Sequence, residues 1–234
     1  MKILAIDTST SVLGVALMDE EKVYAETISN LKRNHSIKLM PIVDQLFTDV
    51  EWNPKDIDLI AVAKGPGSYT GLRIGVTTAK TYAWALDIPL VGVSTLAAMA
   101  YSHRDFNGVI SPIIDARRGQ VYTGLYKNIN DKLTNISQDC IILLSEWVDI
   151  LLKNNERVIF VGDDISQHYE LLKQFDKQIT FSSIVFNIPR PSMVGALAME
   201  QFGTGCKENI YNFAPEYLQL VEAEVKLIKL SNKG

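Results

Sequence analysis

Cysteine is nearly missing from this 234-residue chain: Cys140 and Cys206 are the only two, and they fall in no CxxC or other metal-ligand spacing. A disulfide framework is therefore not expected, and two unclustered thiols suit a reducing compartment, where they act as small hydrophobes. Histidine is equally sparse. His35, His103 and His168 form no HExxH and no i,i+4 pair, so capping or solvent-facing roles are expected and no metal is. No run approaches the roughly 18 apolar residues of a membrane span, and Met1-Lys2 leads to Asp7 without a secretory apolar core. Cytoplasm, without membrane contact, is the expectation. A basic face is missing too. Net charge is −4 with scattered Lys and Arg, which argues against a main role in gripping a phosphate backbone.

Familiar catalytic patterns are also absent. No Gly-Lys-Ser or Gly-Lys-Thr supports a Walker loop. Around Ser68 the positions two before and two after are Pro66 and Thr70 rather than glycines, so the hydrolase elbow fails. Gly65, Gly67 and Gly71 carry one residue too many between the last pair for the dinucleotide fingerprint. What remains is an ordinary globular composition, 47% hydrophobic and 21% charged, long enough for one large domain or two small ones.

The densest signal that is present runs from Gly65 to Gly75, with four glycines and a proline. It lies between the apolar segment Leu59–Ala63 and a helical pattern, so it reads as a strand-loop-helix junction. Glycine permits close backbone approach, and a helix N-terminus favours anions. Phosphate binding and tight packing against a second surface are both open on this pattern.

The rest of the chain alternates strand and helix signals. Lys2–Ile6, Val12–Met18 and Val23–Ile28 read as an antiparallel meander. A helix is expected from Ser36, as N-cap, to Val50, with Leu39, Val43, Leu46 and Val50 on one face and Ile42 beside them. Pro41 predicts a kink or a late start. After the glycine run, Leu72, Val76, Ala79, Ala83 and Leu86 share one helical face, and Arg73, Thr77, Lys80, Thr81 and Trp84 share another. Leu90–Val93 reads as a strand and Thr95–Tyr101 as a helix. A polar stretch near Ser102–Asn107 marks a second unit, giving expected domains of 1–104 and 105–234. In it, Val109–Ile114, Gln120–Tyr126, Val158–Val161 and Ile179–Phe181 read as strands. Ser145–Asn154, Ser166–Phe175 and Ser192–Phe202 read as helices, and Ser231–Gly234 as a polar tail. The second unit echoes the first.

Several residues have a chemical and a structural reading. Asp7, with Thr8 and Ser9, could ligate a nucleotide-bound cation or cap backbone amides in a turn. Asp115 with Arg117 and Arg118 could form a recognition turn or an exposed ion pair worth about 0–1 kcal/mol. Gly162-Asp163-Asp164 could hold a ribose or cation, or end a strand. The face carrying Arg73, Thr77, Lys80, Thr81 and Trp84 suits a partner surface or an ordinary solvated face with one aromatic.

Four segments together resemble the bacterial TsaB (YeaZ) family: Lys2–Thr10, Gly65–Gly75, Asp115–Tyr122 and Pro215–Leu218. Arg190-Pro191-Ser192 and Ala223-Glu224 fit its later pattern more loosely. The resemblance implies an α/β, two-lobed actin-like ATPase/sugar-kinase (ribonuclease H-like) fold with a reduced second lobe. It implies a role in making threonylcarbamoyladenosine beside the anticodon of tRNAs reading A-starting codons. There a TsaB protein is a non-catalytic paralogue that binds TsaD, helps recruit the TsaE ATPase, meets tRNA indirectly, and self-associates as a homodimer when TsaD is absent. No cofactor is implied. TsaD-type proteins carry a histidine pair in Asn-His-x-Glu-Gly-His after a strand resembling Leu90–Val93. Here Thr95 and Met99 stand at the histidine positions and Ala97 at the glutamate, a set unsuited to a hard or borderline cation. The resemblance puts two helices against TsaD, which yields an expected interface of His35, Leu39, Ile42, Val43, Leu46, Leu72, Arg73, Val76, Thr77, Lys80, Thr81 and Trp84. A nucleotide site at Asp7, Thr8, Ser9, Gly162 and Asp163 is the weaker expectation, and it belongs to the rival reading as a small actin-fold ATPase or kinase. A glycoprotease-like peptidase, an old label in this superfamily, ranks below both for want of a nucleophile with a base.

Overall fold

The computed structural model describes residues 1–31, 34–153, 156–172 and 179–219. The expected motif Ala223-Glu224, the tail Ser231–Gly234 and the ends of two expected helices lie outside the described residues.

Two sheets are built on one plan. In the first, β1 (Ile3–Asp7) is central and buried along its whole length. It pairs antiparallel with β2 (Leu13–Met18), which pairs antiparallel with β3 (Val23–Ser29). On its other side β1 runs parallel to β4 (Leu59–Gly65), followed by β5 (Leu90–Ser94), giving the order β3-β2-β1-β4-β5. The strand pairs of the sequence reading are all there, because apolar runs bounded by Asp, Ser and Gly leave little choice.

The second sheet repeats this pairing with β6 (Val109–Pro112) in the place of β1. β6 runs parallel to β10 (Val158–Val161), which runs parallel to β11 (Ile179–Phe181). It pairs antiparallel with β8 (Gln120–Ile129), and β8 pairs with β9 (Lys132–Leu143) and with the short β7 (Ile114–Arg117). The expected strand Val109–Ile114 is thus divided at Ile113, whose amide crosses to Val161. β9 is a correction outright, since the sequence reading placed no element there. Its exposed, polar-rich pattern hides it, although Asn130 and Asp131, both at positive φ, form the kind of two-residue turn that joins paired strands.

Among the described residues six α-helices cover the sheets: α1 (His35–Val50), α2 (Tyr69–Leu86), α3 (Thr95–Tyr101), α4 (Leu144–Lys153), α5 (Ile165–Leu172) and α6 (Pro191–Gly203). α1 starts at His35, capped by a left-handed Asn34 and not by Ser36, and continues through Pro41. On the first sheet, α1 and α2 bury Leu39, Val43, Leu46, Phe47, Val76, Ala79 and Ala83 against Leu4, Ile6, Ile60 and Val62. The opposite face packs on α6 through Val194, Leu197 and Ala198. That helix was expected in the second lobe by its position in the chain. It returns to the first because its buried residues meet Ile3, Ala5 and Ala16. The N-terminus of α6 is tied to β3, where Glu26 pairs with Arg190 and accepts from Ser192 N at 3.0 Å. Phe213, beyond α6, is buried in the α1–α2 core. This is the two-lobed actin-like α/β architecture, with the polypeptide returning to the first lobe at α6 and Leu218 packing again on the second.

Candidate functional site

The glycine run meets the end of β1. Thr8 and Ser9 are buried, and a Cβ added at Gly71 would lie 2.0 Å from the Thr8 carbonyl oxygen. One at Gly67 would lie 2.1 Å from the Ser9 carbonyl oxygen. Ser68 N donates to that same oxygen at 2.6 Å, Thr8 Oγ1 donates to Gly71 O at 2.7 Å, and the Ser68 hydroxyl caps Gly71 N at 3.3 Å. The loop therefore clamps the β1 terminus and launches α2 at a fixed angle. Of the two readings of this run, tight packing is the one the contacts bear out.

Asp7 stands at the heart of this clamp. Its Oδ1 accepts from Ser9 N at 2.9 Å and from Ser9 Oγ at 2.6 Å, whereas Oδ2 has no hydrogen-bond partner among the described residues. Burial raises the carboxyl above its ordinary range, against the opposing pull of the Ser9 bonds and the charge of His35. Gly162 is likewise packed, with a Cβ there only 2.1 Å from Ile113 O. Asp163 alone of the five expected nucleotide residues lines the cleft between the lobes, and its carboxylate accepts from Asn30 Nδ2 at 3.0 Å. Asp7, Thr8, Ser9 and Gly162 are buried and do not line the cleft.

The cleft has a volume of about 1150 Å³ and is walled by Thr10, Ser68, Thr70, Asp115, Arg117 and Asp163, among others. Asp115 lies 3.7 Å from His168 Nε2, its Oδ1 accepts from Arg117 N, and its own amide donates to Asp164. His35 faces this cleft with Nε2 3.1 Å from Thr10 O. It therefore does not stand on the outer face of α1. Thr95 and Met99 are buried on α3, and Met99 reaches the cleft floor. A Ser–His pair that sequence reasoning missed also emerges, His103 Nε2 to Ser182 Oγ at 2.8 Å. These residues are 79 apart in the chain, and their neighbours gave no motif. No carboxylate orients His103 among the described residues.

The expected interface residues divide sharply. Leu39, Val43, Leu46, Leu72 and Val76 are at most 4% exposed and belong to this chain's own interior. Covered by this chain's own packing, these five are not free to meet a partner, which corrects their place in the expected interface. Ile42 is half-buried against the same core. The outward apolar positions of α1 are Ile37, 70% exposed, and Met40, 45% exposed. On α2 the outward row is as read: Arg73, Thr77, Thr81 and Trp84 are exposed, Lys80 is half-buried, and Trp84 is 67% exposed. Tyr69, Arg73 and Tyr217 stack at its start, with Arg73 4.4 Å from the Tyr69 ring centroid. A large indole thus stands in solvent on an 18-residue helix. No helix among the described residues is long and apolar enough to cross a membrane.

Comparison with known proteins agrees with this architecture. The family model described as "TsaD: tRNA N6-adenosine threonylcarbamoyltransferase" matches residues 22–227. A Bacillus subtilis protein named tRNA threonylcarbamoyladenosine biosynthesis protein TsaB is 46% identical over 98% of this chain and 99% of its own length. A protein of the same name from Buchnera aphidicola subsp. Schizaphis graminum is 33% identical over 69% of this chain and 78% of its own. The solved structure of YeaZ from Pseudomonas aeruginosa superposes with a TM-score of 0.76 at 25% identity, covering 93% of this chain and 99% of that one. With one relative matched end to end at such identity, and a shared fold to go with it, the chain belongs to the TsaB (YeaZ) family.

Proposed function

We propose that this chain is a scaffold subunit in tRNA threonylcarbamoyladenosine biosynthesis, without chemistry of its own. It binds the TsaD transferase through the outward faces of α1 and α2, recruits the TsaE ATPase, and meets tRNA only through that complex, in the cytoplasm. A second copy takes the same face when TsaD is absent. Membership of the TsaB family supports the pathway. The observation that carries the docking role is Trp84, 67% exposed on α2 in line with Arg73, Thr77 and Thr81. Ile37 and Met40 of α1 supply further outward apolar surface. Two such helices can supply the roughly 800 Å² per partner that a specific interface buries.

The test is calorimetric titration of a TsaD homologue with the wild-type chain and with Trp84→Asp. The substitution is expected to weaken binding by about 2–4 kcal/mol, as for a central aromatic anchor, and to leave the melting temperature of the free chain unchanged. Undiminished affinity would move the interface elsewhere. The cleft's size favours one second reading, a small ATPase or kinase. Sustained ATP turnover by the chain alone would establish that reading in place of the scaffold.

A further inference from the structure

Pro215–Leu218, one of the four segments that mark the family, passes from the first lobe to the second along the cleft, and Glu216, Tyr217, Leu218 and Gln219 all line it. Its first-lobe end is locked by core and backbone contacts. Phe213 is buried in the α1–α2 core with its ring against Gly92, and its carbonyl accepts from Lys80 Nζ at 2.7 Å. Glu216 N donates to Lys64 O at 2.7 Å, and a Cβ at Gly65 would stand 2.4 Å from the Glu216 carbonyl oxygen. The second-lobe end is held more lightly. Leu218 is half-buried on the apolar cluster that includes Ala116 and Tyr122. The exposed Gln219 has one hydrogen bond among the described residues, its Oε1 accepting from Tyr122 Oη at 3.2 Å. Between the two ends Tyr217 lies on Tyr69, ring centroids 4.9 Å apart, and its hydroxyl accepts from Arg73 Nε at 3.3 Å. All three of these side chains are exposed.

We infer that Glu216–Gln219 is a hinged strap that sets the width of the cleft, pivoting at Glu216 and letting go of the second lobe at Leu218 and Gln219. The asymmetry of its two ends decides which one moves. Freeing the first-lobe end would draw Phe213 out of a core and break backbone bonds. Freeing the other uncovers one half-buried leucine and breaks one hydrogen bond at an exposed amide, the kind of local opening that costs little. Tyr217 against Tyr69 and Arg73 is the catch, a contact in solvent that re-forms readily. Side-chain bonds join the lobes elsewhere, Ser94 Oγ to Asp139 Oδ2 at 2.6 Å and Asn30 Nδ2 to Asp163 Oδ2 at 3.0 Å. They keep the lobes together when the strap lets go. This motion belongs to the free chain and is independent of the docking role.

Limited proteolysis of the full-length chain with chymotrypsin reads the release, because Tyr211 and Tyr217 stand on opposite sides of the pivot. Tyr211, 82% exposed, is the internal reference. Tyr122→Phe removes the hydroxyl that holds Gln219. It should speed cleavage after Tyr217 about 5-fold, the effect of losing one neutral hydrogen bond on a local opening, and leave cleavage after Tyr211 unchanged. An unchanged rate after Tyr217, or equal acceleration at both tyrosines, overturns the strap. Width is read from spin-label distances between Thr81→Cys on α2 and Asp149→Cys on α4, both exposed positions, with Cys140 and Cys206 replaced by serine. The wild-type strap should give one narrow distribution, and Leu218→Asp should add a population at longer distance. If Leu218→Asp does not fold, Leu218→Ala takes its place with the same expectation. A wild-type distribution in the folded Leu218 variant overturns the control of cleft width.

Discussion

Asp7 has a buried carboxylate whose two oxygens are treated differently, one held by Ser9 and one without a hydrogen-bond partner among the described residues. A buried group left in that state disfavours its charged form, and its pKa is raised. The sign for stability follows from proton linkage. Between the ordinary aspartate pKa and the raised folded value, the native state holds the proton more often than the unfolded chain. The contribution of Asp7 to stability is therefore most favourable in acid and is lost as pH rises through the folded pKa. Asp7→Asn keeps an oxygen for Ser9 and removes the titration. Urea unfolding from about pH 4 to 8 should show the variant gaining on the wild type as pH rises, by about 1.4 kcal/mol for each unit of pKa shift. A constant difference across that range would mean that Asp7 is not raised. ATP turnover destroyed by the same change would return Asp7 to the rival enzymatic reading.

At the scale of elements, the loop from Gly65 to Gly75 fixes where α2 points. Gly67 and Gly71 are dictated by contact with the Ser9 and Thr8 carbonyl oxygens and Gly75 by the Thr8 hydroxyl, whereas a side chain at Gly65 would meet the Glu216 carbonyl oxygen. Gly71→Ala should cost about 3 kcal/mol or more, since a Cβ 2.0 Å from Thr8 O forces either the β1 terminus or the helix start to move. Gly203→Ala, at the end of α6 with nothing within 4 Å, should be neutral or stabilising by up to about 1 kcal/mol. Chemical denaturation of the pair separates packing from helix propensity, and equal losses would refute the clamp. These elements were legible because the sequence encodes them locally: glycine density, apolar periodicity and the polar stops after β1. The row Arg73, Thr77, Thr81 and Trp84 was legible for the same reason, as the complement of a clear inward stripe. On α1 the inward stripe was read correctly as a helical face, but Leu39 and Val43 were assigned outward to a partner. Periodicity says that residues share a face and is silent on which surface covers it. β9 escaped because a strand exposed along one side shows little hydrophobic alternation.

For the whole molecule, the return of α6 changes what counts as a unit. The second sheet and its helices are inserted between α3 and α6, and the first sheet is covered on one face by α1 and α2 and on the other by α6. Chain order suggested a boundary after residue 104 because the pattern turns polar there. Burial assigns Pro191–Gly203 and Phe213 to the first lobe. A fragment ending at residue 104 would expose Ile3, Ala5, Ala16 and Met18, all buried in the intact chain, an apolar surface of the kind that drives aggregation. It should fail to give a cooperative unfolding transition. Joining residues 1–104 to 188–219 through a short Gly-Ser linker restores α6, the Glu26–Arg190 pair and Phe213 to that sheet. The joined chain should be soluble and unfold in one transition, and it should retain the outward row of α2 with Trp84, because that helix and the core beneath it lie within it. Partner binding by this reduced protein would locate docking in the first lobe alone. A soluble, cooperatively folded 1–104 fragment would show that α6 is dispensable and that the lobes divide as chain order suggests.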